Sequence, residues 1–171
     1  MLVACLSAVM AHVKVPHNPT TGSEPPTPYI DKGAYPFLLS AAPTGTGLHW
    51  TANVEIALVD QPNGKRVVAR IHEGEKAQAV TGEGHSIPLR VLAKHDHSDG
   101  GVKAGDIIYS LHYTGEGAWK VWHSDQIVEI ENFSDKGPYP HYTWWVKLRT
   151  TSGIIAWTIS HGNFSNQDAC R

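Results

Sequence analysis

The chain has 171 residues, with 14 Lys and Arg against 16 Asp and Glu and a formal net charge of −2. That length suits one ordinary domain or two small ones sharing a core, and the balanced charge without a basic block argues against nucleic acid as the main partner, leaving only a local patch at Lys65-Arg66 with Arg70. Sixteen glycines and 11 prolines stand between short apolar runs, which predicts an all-β chain with many turns rather than a helical one.

Met1–Val13 is a short apolar run, too short for a membrane-spanning helix of roughly 20 residues. Val9-Met10-Ala11 places small residues where a signal peptidase reads, so cleavage is expected after Ala11, although no Lys or Arg precedes Lys14. Leu2-Val3-Ala4-Cys5 is similar to a lipobox, which makes Cys5 a candidate lipid anchor. Cys5 and Cys170 are the only cysteines, and their separation is no zinc spacing.

Residues 14–48 read as a proline-rich tether and strap. Pro16, Pro19, Pro25, Pro26 and Pro28 lie among small polar residues that bury little. Tyr29, Ile30, Tyr35, Phe37, Leu38 and Leu39 are candidates to pack on a barrel. From His49 the period becomes two. His49–Val59 is predicted as a strand, Asp60–Gly64 as a turn with proline presetting φ, and Arg66–Ile71 as the return strand. Lys76–Val80 is the next strand, ended by Gly82-Glu83-Gly84, and Ile87–Lys94 the one after. His95–Gly101 is a polar loop.

Gly105–Ile130 carries the clearest pattern. Ile108, Ser110 and His112 alternate with Ile107, Tyr109, Leu111 and Tyr113. Trp119, Val121 and His123 alternate with Lys120 and Trp122. Turns are expected at Thr114–Gly117 and Ser124-Asp125, giving three short strands. Asn132–His141 is a polar loop. Tyr142–Thr150 and Ile154–Ile159 form a hairpin around Thr151-Ser152-Gly153, and residues 160–171 are a tail.

Val54–Val80, with its Pro62–Gly64 and Gly74-Glu75 turns, resembles the first half of a bacterial SH3-like domain. Trp145–Trp157 resembles its close: a Trp-Val-Lys-Leu strand, a Ser-Gly turn and a strand ending in Trp, with Ala156 where the family has glycine. Gly105–Ile130 is similar to a further strand–turn–strand set between these halves. The expected architecture is therefore all-β: one or two small SH3-like barrels, with a domain at 49–159 split by an inserted β unit at 95–141 and preceded by an extended N-terminal arm. The resemblance implies a non-enzymatic, extracytoplasmic module, periplasmic or secreted, that binds cell-wall peptide, glycan or an envelope protein and needs no cofactor.

Eleven histidines are many for this length. On a strand, His95 and His97 would face one way, and with Asp99, or with His85 or His123, they form the one candidate metal set. That set supports an alternative reading as a metal-binding protein or metal-dependent hydrolase. Ser110 and His112 share a parity but lack a nucleophile elbow. Glu73/Glu75 and Glu129/Glu131 read as solvated strand ends. The aromatics of the second half are the better signal, because exposed rings with a polar tip suit peptide or glycan grooves. Tyr113, Glu116, Trp119 and Trp145 are the candidate ligand-binding residues.

Overall fold

The computed structural model describes residues 22–32, 49–133 and 139–167. The expected leader at 1–13, the first part of the tether, most of the strap and the last residues of the tail lie outside the described residues. What is described is all-β: β1 (Tyr29–Lys32), β2 (His49–Ala52), β3 (Ile56–Val59), β4 (Val67–Ile71), β5 (Lys76–Ile87), β6 (Leu89–Leu92), β7 (Ile107–Gly115), β8 (Ala118–His123), β9 (Gln126–Ile130), β10 (His141–Thr150), β11 (Ile155–Thr158) and β12 (Phe164–Ser165).

The strands form two antiparallel sheets. The larger is ordered β12-β2-β5-β10-β11-β3-β4, with β1 also on β5, and it curls into a half-barrel. The smaller is the meander β6-β7-β8-β9, inserted between β5 and β10. The insertion thus runs from Leu89 to Ile130, against the expected 95–141. Each sheet has its own core. Trp50, Ile56, Leu58, Val146, Leu148 and Phe164 fill the half-barrel. Ile108, Trp119, Val121, Ile130 and Phe133 back the inserted sheet.

Three expectations change. His49–Val59 is two strands, because β2 pairs with β5 and β12 while β3 pairs with β4 and β11. The strand from Lys76 does not stop at Gly82-Glu83-Gly84 but runs on to Ile87. Gly84 stays in the ladder because the Tyr142 ring of β10 lies across it: a Cβ there would come within 2.7 Å of Tyr142 Cε2. Pro88 is where this run breaks and β6 begins. The tail also joins the sheet, since β12 pairs with β2 and Phe164 packs on Trp50 at a centroid distance of 5.5 Å.

Two of the register shifts bear on which side chains face inward. On β5, Leu148 faces Ala79 and Lys147 faces Thr81, leaving Val80 as the extra residue. On β7, Ser110 faces Val121 and His112 faces Lys120, leaving Leu111 unpaired. Each bulge reverses the alternation beyond it. Ser110 therefore faces the core with Val121, and His112 lies on the other side of the sheet with Lys120, buried against Asp31 and Tyr142.

The segment Gly22–Lys32 is a clip, not a free tether. Its start lies on the outer face of the inserted sheet, where Trp122 Nε1 donates to the Ser23 carbonyl at 2.8 Å. Its end is β1, paired with β5 from Tyr29↔Ser86 to Lys32↔Glu83. From β1, the Asp31 carboxylate accepts from His112 Nε2 at 3.0 Å and from Lys120 Nζ at 2.6 Å. One carboxylate on the large sheet thereby holds two cationic or donor groups of the small one.

Candidate functional site

The aromatic face at the β7–β8 end of the inserted sheet is built from the turn upward. Gly115, Glu116 and Gly117 all take positive φ, which reverses the chain tightly between β7 and β8. The Gly117 N–H donates to Tyr113 Oη at 3.0 Å and so fixes the Tyr113 ring over the turn. Directly across the ladder from Tyr113 is Trp119, whose ring lies 5.5 Å away. Trp119 in turn contacts Phe133 at 6.1 Å and Tyr139 at 5.1 Å. Trp119 is 1 % exposed, whereas Tyr113 is 48 % and Tyr139 67 % exposed. A buried tryptophan thus braces two tyrosines that show their rings to solvent, with the exposed Glu116 at the turn beside them.

The sequence-derived candidates divide accordingly. Tyr113, Glu116 and Trp119 come together. Trp119 supports the site from beneath rather than lining it, because its parity with Val121 and His123 turns it to the core. Trp145 belongs elsewhere: it stands on β10 of the large sheet, opposite Glu83, and is 7 % exposed. It offers no free ring. Its neighbour Trp144 is half-buried, covered by Trp50 and His161. Tyr139 was the residue least legible as part of a site, because it precedes β10 in a proline-rich loop and only its aromatic character marked it.

The metal set is not assembled. His97 is held inside the loop by a two-way backbone bridge with Val102, and its ring packs 5.5 Å from Phe133. Asp96 accepts from the Ala104 N–H at 2.9 Å, and Asp99 accepts from the Glu131 N–H at 2.6 Å. These carboxylates shape the loop around an open depression of about 470 Å³. Among the described residues no three His, Cys, Asp or Glu side chains converge to hold a metal ion, so His95, His97 and Asp99 are not such a group. His123 is paired instead with Asp106 at 3.1 Å inside the inserted sheet, and His85 with Glu83 at 3.1 Å on β5.

The Leu111 bulge also separates Ser110 from His112, which lie on opposite sides of the sheet. Ser110 Oγ is buried without a hydrogen-bond partner among the described residues, and no base reaches it from the same strand.

Comparison with protein-family models, with curated proteins and with solved structures returns no match for this chain. The reading of its function therefore rests on the geometry of its own side chains.

Proposed function

We propose that this chain is a non-catalytic binding module of the cell envelope, SH3-like in descent, that takes a cell-wall peptide or glycan on the face formed by Tyr113 and Tyr139. The observation that carries this reading is the pair of exposed tyrosine rings braced by one buried tryptophan. A ring held rigid loses little entropy when a ligand stacks on it, and each such contact is worth about 1 kcal/mol. Glu116 adds hydrogen-bond acceptors at the edge of the face. Few contacts give modest affinity, so retention on a polymeric wall would come from many copies engaging at once. The apolar start of the chain and the small residues at Val9-Met10-Ala11 support placement outside the cytoplasm.

Co-sedimentation with purified cell-wall sacculi tests the reading. The wild-type chain is expected in the pellet, and a Tyr113→Ala/Tyr139→Ala double variant in the supernatant. Tyr139→Ala alone should weaken retention while leaving stability within about 0.5 kcal/mol, as for an exposed side chain. A wild-type chain that stays in solution sinks the proposal.

A further inference from the structure

The opposite face of the inserted sheet carries a second arrangement, separate from the tyrosine face. Trp122 pairs with Tyr109 across β7 and β8, and Tyr109 pairs with Arg90 across β6. Between these side chains and the start of the clip lies a cavity of about 270 Å³, lined by Arg90, Ile107, Tyr109, Trp122 and Ser124. Gly22, Ser23 and Glu24 of the clip form its other wall, and their groups are held one after another. Gly22 lies so close to the β8–β9 turn that a Cβ would come within 2.9 Å of both Ser124 Cα and Asp125 N. The Ser23 N–H donates to Asp125 Oδ1 at 2.7 Å, and Ser23 Oγ donates to the same oxygen. The Ser23 carbonyl accepts from Trp122 Nε1 at 2.8 Å. Tyr109 Oη donates to Glu24 Oε1 at 3.4 Å, and Pro25 is buried behind it.

We propose that this groove is a peptide-recognition site for an extended Gly-Ser-acidic segment, and that Gly22–Glu24 is the ligand it holds in cis. Four features make the reading specific. Both the backbone donor and the backbone acceptor of one residue, Ser23, are engaged, which fixes backbone direction as in other strand-capture sites. The close approach at Gly22 rejects any side chain at that position. The Asp125 carboxylate takes two donors from a single serine. Tyr109 places a hydroxyl against the acidic residue, and Arg90 lines the same cavity. The two Ser23 donors also hold the Asp125 carboxyl below its ordinary range. The turn that presents it is a two-residue hairpin, with Ser124 and Asp125 at φ of 49° and 67°. Asp125 is therefore set by the backbone and not by a flexible loop. An external peptide of the same chemistry would enter when the clip is released. While the clip is docked it competes at an effective concentration of the order of millimolar.

The test uses the full chain, a synthetic Gly-Ser-Glu-Pro-Pro-Thr peptide and a Val-Ser-Glu-Pro-Pro-Thr control. The readout is the Trp122 indole N–H resonance, assigned with Trp122→Phe. Gly22→Val should undock the clip through the backbone clash. The variant is then expected to bind the first peptide saturably, the control at least tenfold more weakly, and the wild type should need at least tenfold more peptide. A Gly22→Val chain with wild-type circular dichroism that shows no saturable shift, or binds both peptides equally, overturns the proposal. So does a wild-type chain that elutes as a dimer held through this groove, since a second copy would then be the occupant. Should Gly22→Val fail to fold, Ser23→Ala serves: it removes the hydroxyl donor only, and the serine peptide should compete several-fold more readily than against wild type. Equal competition overturns the idea.

Discussion

The two sheets solve the same packing problem with opposite topologies. The half-barrel joins strands far apart in sequence: β2 with β12, and β5 with β10 across the entire insertion. The inserted sheet is a meander in which every pairing is between neighbours. Local pairings close short loops and cost little chain entropy, whereas the half-barrel must close loops of dozens of residues before its core rewards it. The exposed tyrosine face and the peptide groove both belong to the local sheet. The larger sheet contributes β5 and β10, from which the smaller one hangs, and β1, whose Asp31 ties the two together. Both proposed binding surfaces thus fall on the unit that is simplest to assemble, while the non-local unit supplies the mount.

The strongest way to break this comparison is to hollow out each core in turn. Trp50 and Trp119 are each 1 % exposed. Truncation of either to alanine is expected to cost about 3–5 kcal/mol from lost burial and the cavity left behind. Native-state hydrogen exchange should locate the loss. With Trp119→Ala, protection should fall chiefly in β6–β9. With Trp50→Ala, it should fall in β2, β5, β10 and β12. Uniform loss across both sheets in both variants would mean one cooperative unit, and the division drawn here would not hold.

A smaller effect isolates the tie between them. Asp31→Ala removes an acceptor from both His112 and Lys120. Hydrogen bonds to a charged partner of this kind are worth about 2 kcal/mol in total once the exposure of Lys120 is allowed for. Urea unfolding should show that loss, and a broadened transition would indicate sheets that have begun to unfold separately. Unchanged stability would leave β1 as an ornament on β5.

These outcomes bear on what was legible beforehand. Three of the four strands of the inserted sheet, β7 to β9, could be read almost to the residue, because alternation and turn chemistry are local signals. Ser124-Asp125 needed only two left-handed residues, and Glu116 between two glycines needed little more. The facing of side chains was not legible past a bulge. Val80 and Leu111 each sit where plain alternation allows an ordinary apolar strand residue, yet each shifts the facing of the residues that follow it. Trp119 was read as a ligand-facing ring when its parity partners, Val121 and His123, already placed it inward. Gly82-Glu83-Gly84 looked like a stop because the tyrosine that fills the gap at Gly84 is almost 60 residues further on, and no local window contains it. The docking of Gly22–Glu24 was hidden for a similar reason. Its partners Tyr109, Trp122 and Asp125 are all distant in sequence, and a proline-rich composition by itself reads as a tether.

The finest probe of the junction is a single hydroxyl. The Tyr142 ring lies 5.2 Å from that of His112, and its hydroxyl is pushed up to about 12, first by burial and then by the negative charge of Asp31. Burial and, secondarily, the same carboxylate also raise Tyr29. A tyrosine whose folded value lies above its ordinary one keeps its proton in the folded state after the unfolded chain has lost it. Its contribution to stability is complete below pH 10 and is lost as pH rises through about 12. Tyr142→Phe should therefore change stability by no more than about 0.5 kcal/mol at neutral pH, because the ring and its cover over Gly84 remain. Between pH 10 and 12 the variant should lose stability less steeply than the wild type, with Tyr29 accounting for the slope that persists. Asp31→Asn should flatten the same window in part, since it removes the charge but not the burial. If urea midpoints of Tyr142→Phe and wild type fall in parallel through that window, Tyr142 does not sense the contact between the sheets, and the junction must be held by the Asp31 pairs alone.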